Sequence, residues 1–235
     1  MERLHLSVLS TETRTAAENM AADLAMRHAL SPASPVVLRF YDWAEPSLSF
    51  GYFQRWVDVC KRLEAEAPVS VVRRPTGGGI VDHRSDVTYA LVFARGTSFA
   101  EQKTTCLYEA VHTALFEALN ELGEFTCLSH DAPLKATALS CFEAPVRSDI
   151  IDSISGLKIA GSAIHRGKES ILVQGSLESK RLSKSLTPED LSEAFAHRLG
   201  VKVGLASTAS IPLFTLHVAA ADVARFSNTS WTQRR

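Results

Sequence analysis

Apolar residues recur along the chain in two periods, and the order of those periods outlines the fold. From Thr11 to Ala29 the positions Ala16, Met20, Leu24 and Ala25 fall three or four apart, with Asp23 and Arg27 on the other side, which predicts a helix. The runs Val36 to Tyr41 and Leu48 to Phe53 are extended in character, and Pro46 between them predicts a hairpin. Trp56 to Ala65 reads as a short helix with Val57, Cys60 and Leu63 on its core face and a stop at Pro68. Val69 to Arg73, Ile80 to His83 and Val87 to Phe93 are again extended. Glu101 to Leu122 is the longest predicted helix, with Leu107, Val111, Ala114, Leu115, Ala118 and Leu122 as its apolar stripe and Cys106 packed beside it. Asp149 to Asp152, Leu157 to His165 and Ser170 to Leu177, joined by turn-prone segments, predict a three-stranded meander. Thr187-Pro188-Glu189-Asp190 supplies an N-cap and a proline at the first helical position for a helix to about Leu199, and Ala219 to Phe226 predicts the last helix. No repeat or linker interrupts this order, so a single α+β domain over residues 1–235 is expected.

Charge removes several function classes. The chain carries 25 Lys+Arg against 26 Asp+Glu, a formal net charge of -1, so it lacks the basic excess of a nucleic-acid or membrane-surface protein. Met1 to Thr15 holds Glu2, Arg3, Glu12 and Arg14 without a signal-like apolar run, and no later stretch approaches the roughly 18 apolar residues of a membrane span. A cytoplasmic location is expected. Cys60, Cys106, Cys127 and Cys141 form no CxxC pair and are read as four separate thiols, with no metal site.

Three segments carry candidate chemistry. Arg73-Arg74-Pro75-Thr76-Gly77-Gly78-Gly79 puts two guanidinium groups beside backbone N–H groups that a ligand can approach closely, which suits a phosphate, carboxylate or acyl carbonyl. The same residues also describe a glycine-rich turn with solvated arginines, and they match neither GxxxxGK[ST] nor GxGxxG. Strand alternation places Lys158, Ala160, Ser162 and Ile164 on one face, and Ile159, Gly161, Ala163 and His165 on the other. Lys158 is thus either an ammonium beside a slot for a slim apolar ligand or a solvated edge charge. Cys141 lies in the irregular segment Ser140-Cys141-Phe142-Glu143-Ala144-Pro145, outside any apolar periodicity, and its reactivity depends on a neighbouring cation.

Together these segments resemble the lipoate-protein ligase and lipoyl-octanoyltransferase superfamily, which shares its catalytic fold with biotin protein ligases. Asn19-Met20-Ala21-Ala22-Asp23 is similar to its NMAxD signature, and Pro46 to Gln54 to its P-x-x-x-x-G-x-x-Q segment. Arg73 to Tyr89 resembles the RRxTGGGxVxHxxxxxTY block, Ser155 to Leu177 the GxKxAGSAxxRxxxxxLxxGSL block, and Trp231 to Arg235 the W-x-x-R ending. The resemblance implies a mixed, largely antiparallel sheet flanked by helices. It implies that Arg73, Thr76, Gly77, Gly78, Gly79 and His83 line an acyl pocket, joined by Gly161, Ser162 and Ala163 of the AGSA segment, and that Lys158 is the active-site lysine. The segment at Cys141 is similar to the CFxxP segment of the octanoyltransferase branch, in which that cysteine is the nucleophile. Three departures stand out: Arg84 replaces an Asp, Ala90 replaces a common Ser, and the turn before Lys158 is about two residues longer than the closest pattern.

The implied activity is octanoyl transfer from acyl carrier protein to a lysine of a lipoyl domain or of a glycine-cleavage H-type protein, through a Cys141 thioester, with no cofactor and no C-terminal accessory domain. The alternatives are an ATP- and Mg-dependent lipoate ligase, in which Cys141 is incidental, and a non-catalytic acyl- or carrier-binding homologue.

Overall fold

The computed structural model describes residues 5–64, 69–133, 141–184, 186–205, 207–210 and 216–235. Ser140 and the expected helix stop at Pro68 lie outside them.

The expected α+β architecture is the observed one, built on two sheets. The strands are β1 (His5–Arg14), β2 (Val36–Trp43), β3 (Ser47–Phe50), β4 (Ser70–Arg73), β5 (Ile80–Asp82), β6 (Asp86–Ala94), β7 (Thr126–Leu128), β8 (Ile150–Asp152), β9 (Lys158–Arg166), β10 (Ser170–Glu178) and β11 (Ser207–Ser210). Eight form one sheet in the order β11-β1-β2-β6-β10-β9-β8-β7, and three form a second in the order β4-β3-β5. Pairing is parallel at β11-β1, β1-β2 and β3-β4 and antiparallel elsewhere. The helices are α1 (Ala16–Ala25), α2 (Trp56–Leu63), α3 (Thr104–Glu121), α4 (Pro188–Lys202), α5 (Ala220–Ser227) and α6 (Thr229–Thr232).

Two expectations are corrected. The chain before Thr15 is strand β1, not the start of the first helix. Its alternation is obscured by a register shift between Leu9 and Glu12, and the helix starts only where Thr15 and Glu18 form a reciprocal capping box. The expected hairpin across Pro46 is a change of sheet: β2 pairs with β1 and β6, whereas β3 pairs with β4 and β5. A proline-containing turn signal marks either outcome, because it specifies a bend and not the strand's next partner.

Alternation in the large sheet separates two environments. Val87, Tyr89, Leu91 and Phe93 of β6 and Ile171, Val173 and Leu177 of β10 face α3 and α4, meeting Leu107, Val111, Leu115, Phe195 and Leu199 in the main core. The stripe predicted on α3 is the buried one, except that Leu122 is only half-buried. The opposite face carries Val37, Tyr41, Ala90, Val92 and Leu172 and is covered by Ala22, Ala25 and Met26 at the end of α1. Further along this second face the side chains become small or polar, and the candidate site opens there.

Beneath it lies a fully buried ion pair. Arg39 Nη1 donates to Asp23 Oδ1 at 2.8 Å and Nη2 donates to Asn19 Oδ1; Tyr41 Oη (3.0 Å) and Gln174 Nε2 (2.7 Å) donate to Asp23 Oδ2. Burial raises the Asp23 pKa from its ordinary value, and the Arg39 charge opposes that shift. The NMAxD segment therefore anchors α1 to the sheet and presents Met20 to the site.

Candidate active site

Register makes the slot. Ser176 stands between Thr88 and Gly161, and Gln174 between Ala90 and Ala163, so three neighbouring strands offer short side chains to one face. Tyr41, Trp43, Val81 and Phe142 wall the slot they leave, with Met20 at its buried side. The space between these walls, counted together with its open mouth, is about 470 Å³.

The glycine loop folds around Arg74. Its Nη2 donates to the carbonyls of Gly77 (3.0 Å) and Gly79 (2.9 Å), and its Nη1 to Ser49 Oγ (2.7 Å). Gly78 adopts φ +89°, in the left-handed region that disfavours a side chain. A Cβ there would lie 3.2 Å from Arg74 Nη2 and 3.6 Å from Cys141 Sγ, so the guanidinium and the sulfur flank the same point. Gly79 N donates to Cys141 Sγ at 3.1 Å, and Cys141 N donates to the Ile80 carbonyl at 2.9 Å, pinning the cysteine to the loop. Among the described residues no carboxylate pairs directly with Arg74. Burial lowers its pKa, and Cys141 is the foremost group opposing that shift. A buried cation without a carboxylate is costly to hold, and the loop carbonyls, the Ser49 hydroxyl and the Cys141 sulfur are the groups gathered around it.

Lys158 enters the slot from its rim. Its Nζ pairs with Asp149 Oδ2 at 2.8 Å, and both side chains are buried. Asp149 also accepts from Tyr108 Oη and from Val146 N (2.6 Å). A Cβ on Gly161 would stand 2.6 Å from both Cε and Nζ of Lys158, so the glycine of the AGSA segment makes room for the ammonium. The ammonium thus reaches the Gly161 side of β9, across from the side that alternation alone assigns to Lys158. The long turn before it projects into solvent, with Ile154 89% and Leu157 54% exposed, so its residues stay outside the slot.

The remaining expected residues divide. His83 lines the slot, stacked on Trp43 with ring centres 3.9 Å apart, and Ala163 forms part of its wall. Thr76 is buried and donates to Gln174 Oε1 at 2.6 Å, orienting a wall residue. Arg73 does not reach the slot, which corrects its expected place there. Its guanidinium donates to the carbonyls of Tyr52 (2.8 Å), Gln54 (2.7 Å) and Thr232 (3.0 Å), while its own carbonyl accepts from Trp231 Nε1 at 2.9 Å. Arg73 is the clasp that ties the P-x-x-x-x-G-x-x-Q segment to the W-x-x-R ending. Arg84 is exposed and pairs with Asp82, and Ala90 is buried in the sheet face covered by α1. Cys106 is exposed and Cys60 half-buried, so neither is the core thiol that the helical periods suggest.

Ser162 contributes to the slot's lining, but its hydroxyl turns to α3, where it bonds His112 Nε2 at 2.9 Å. His112 Nδ1 faces the Ser148 carbonyl at 2.6 Å, which assigns the proton to Nδ1 and leaves Nε2 to accept. Burial holds this imidazole down at about 4, against an ordinary value of 6.5. Between those values the unfolded chain binds a proton that the folded chain refuses, so stability is lost as pH falls from about 6.5 towards 4. The full term is about 3 kcal/mol. Urea unfolding at about pH 7 and about pH 4.5 should therefore show a larger loss for the wild type than for His112→Gln; equal losses would contradict the assignment.

Arg74, Ser49, Asp149, Tyr108, His112 and Gln174 were not singled out as separate site residues by sequence reasoning. Only Arg74 carried a usable signal: neighbouring residues at a strand end point to opposite faces, so Arg73 and Arg74 cannot both enter one pocket.

The slot is thus floored by small strand residues, with a cysteine and a lysine beside it and a glycine loop wrapped on an arginine. Residues 15–190 match the lipoyl protein ligase A/B catalytic domain, and the chain belongs to that family. It is 34% identical over 166 residues to octanoyltransferase LipM of Carboxydothermus hydrogenoformans, covering 70% of this chain and 61% of that protein. It is 34% identical over 181 residues to LipM of Kyrpidia tusciae, covering 72% and 64%. The chain thus matches less than two thirds of the length of these relatives. Among solved structures, a lipoate-protein ligase A bound with ATP superposes with TM-score 0.70 at 17% identity over 98% of both chains. A putative lipoate protein ligase from T. acidophilum with bound lipoic acid gives TM-score 0.70 at 18% identity over all of both chains, which shows the shared fold. Among the described residues no helix is long and apolar enough to cross a membrane, and no cluster of three or more His, Cys, Asp or Glu is arranged to hold a metal.

Proposed function

We propose that this chain moves an octanoyl group from the thioester of an acyl carrier protein to a lysine of a lipoyl domain or a glycine-cleavage H-type protein, through a thioester on Cys141. The observation that carries this reading is the Cys141 sulfur at the slot, taking the Gly79 N–H at 3.1 Å beside a buried arginine that pairs with no carboxylate among the described residues. The kinship to LipM octanoyltransferases supports it.

The acyl chain lies in the slot with its carbonyl at Cys141. The thiolate attacks that carbonyl, and the tetrahedral intermediate collapses with loss of the carrier's thiolate. The neutral acceptor amine then attacks the Cys141 thioester and loses a proton, and an amide forms as the Cys141 thiolate leaves. The Lys158 ammonium, held by Asp149, stabilises the developing oxyanion in both steps, a role worth about 3 kcal/mol for one well-placed donor. Because the donor is already activated, no nucleotide or metal is consumed.

The test is to supply octanoyl carrier protein and a lipoyl domain with EDTA and without nucleotide. Octanoylation of the acceptor lysine is expected. Efficient use of free lipoate with ATP and magnesium, with the carrier thioester left untouched, would replace this reading by that of a ligase. Binding of the acyl carrier without transfer under either condition would make the chain a non-catalytic homologue.

A further inference from the structure

Arg74 is held at the sulfur by a line of groups that the proposed reaction does not use. Ser49 Oγ accepts from Arg74 Nη1 at 2.7 Å, which leaves the serine's own proton for His83 Nε2 at 2.5 Å. His83 Nδ1 in turn faces Asp86 Oδ2 at 2.7 Å. With one imidazole N–H, placed on Nδ1 towards Asp86, the line runs from Arg74 to Ser49, from Ser49 to His83 and from His83 to Asp86. Arg74, Ser49 and His83 are buried, and the side chain of Asp86 is enclosed.

The far end is anchored as firmly as the near end. Asp86 Oδ2 accepts from the hydroxyls of Thr88 (3.1 Å) and Ser176. Trp43 lies flat on the imidazole, with 18° between the rings, and its Nε1 donates to Thr88 Oγ1 at 2.9 Å. The elements joined are the end of β4, the middle of β3 and the start of β6, so the line spans both sheets. A guanidinium on a flexible side chain has many rotamers; the two glycine carbonyls constrain Nη2, and Ser49 is the group that constrains Nη1.

We infer that Asp86, His83 and Ser49 are positioning residues for the nucleophile, acting through Arg74 on the Cys141 sulfur. His83 then has a task besides lining the slot: it orients Ser49 so that the serine lone pair meets Arg74 and not its proton. Breaking any link releases Arg74 Nη1 and lowers the reactivity of Cys141 without changing what the slot binds. Groups that act as one line also lose their effect together, so a second break adds little to the first.

The inference rests on the proposed role of Cys141, and its test is chosen to separate the two. Cys141 is alkylated with iodoacetamide at one fixed pH in wild type, Ser49→Ala, Asp86→Asn and the double variant, with the other cysteines followed as internal controls by peptide mass spectrometry. Self-acylation from octanoyl carrier protein is measured alongside, as rate and as carrier concentration at half-maximal rate. Each single variant should slow Cys141 alkylation and acylation about tenfold, leave the half-maximal concentration unchanged, and combine in the double variant to little more than tenfold. If Asp86→Asn does not fold, His83→Gln takes its place in the alkylation measurement alone, because His83 also lines the slot. Wild-type alkylation rates in the single variants, or effects that multiply in the double variant, would overturn the relay. Absence of any acyl adduct on wild type would sink the proposed function while the alkylation cycle still decides the relay.

Discussion

Cys141→Ala is expected to abolish octanoyl transfer, a loss of at least about four orders of magnitude, the scale seen when a covalent nucleophile is removed. The sulfur has no substitute at the slot mouth: Gly79 N–H and Arg74 converge on it, and the other three cysteines lie elsewhere, with Cys106 exposed on α3 and Cys60 half-buried on α2. Cys60→Ala and Cys106→Ala should therefore transfer at rates within about twofold of wild type. The check is steady-state octanoylation of a lipoyl domain across the three variants. Near-normal turnover by Cys141→Ala would end the covalent mechanism.

Lys158→Ala is expected to slow transfer about a hundredfold or more, the consequence of losing one oxyanion donor. The structure adds a second consequence. Removing the ammonium leaves Asp149 buried without its counter-charge, although Tyr108 and Val146 N still donate to it, so the variant should also lose about 3 kcal/mol of stability. Folding and catalysis are separated by pairing Lys158→Met with Asp149→Asn, which removes both charges at nearly constant volume. That double variant should melt close to wild type and stay inactive. Recovery of activity together with stability would show that Lys158 is structural. Lys158→Arg should not restore turnover, since a planar guanidinium does not fit the space that Gly161 leaves for an ammonium.

Most elements that position the site were legible in the chain. The helical stripe of α3, the meander β8-β9-β10 and the capped start of α4 follow from periods and caps, because in each the local signal and the tertiary packing agree. The strand β1 and the passage from β2 to β3 were not legible, since a bulge hides alternation and a turn residue does not state which sheet comes next. Within the site, the glycine loop and Lys158 each had an ordinary structural reading beside the functional one, Cys141 lay outside any apolar period, and it was the order of the motifs together that marked all three. Arg73 was misplaced because a pair of adjacent arginines looks like one feature, whereas the strand end sends one to the slot and the other to the chain's C-terminal segment. Tyr108 and His112 left no trace in sequence: each reaches the site from α3 by contacts with segments distant in the chain, which no local pattern records, and Asp149 read only as the start of a strand.

The central claim is that Cys141 carries the acyl group. The most direct measurement is the intact mass of the purified protein after incubation with octanoyl carrier protein, with nucleotide and magnesium absent, followed by hydroxylamine. The protein should gain one octanoyl group, located on Cys141 by peptide mapping, lose it to hydroxylamine because a thioester is labile where an amide is not, and pass it to the acceptor lysine when a lipoyl domain is added. No adduct on Cys141, or an adduct that hydroxylamine leaves in place, would contradict it.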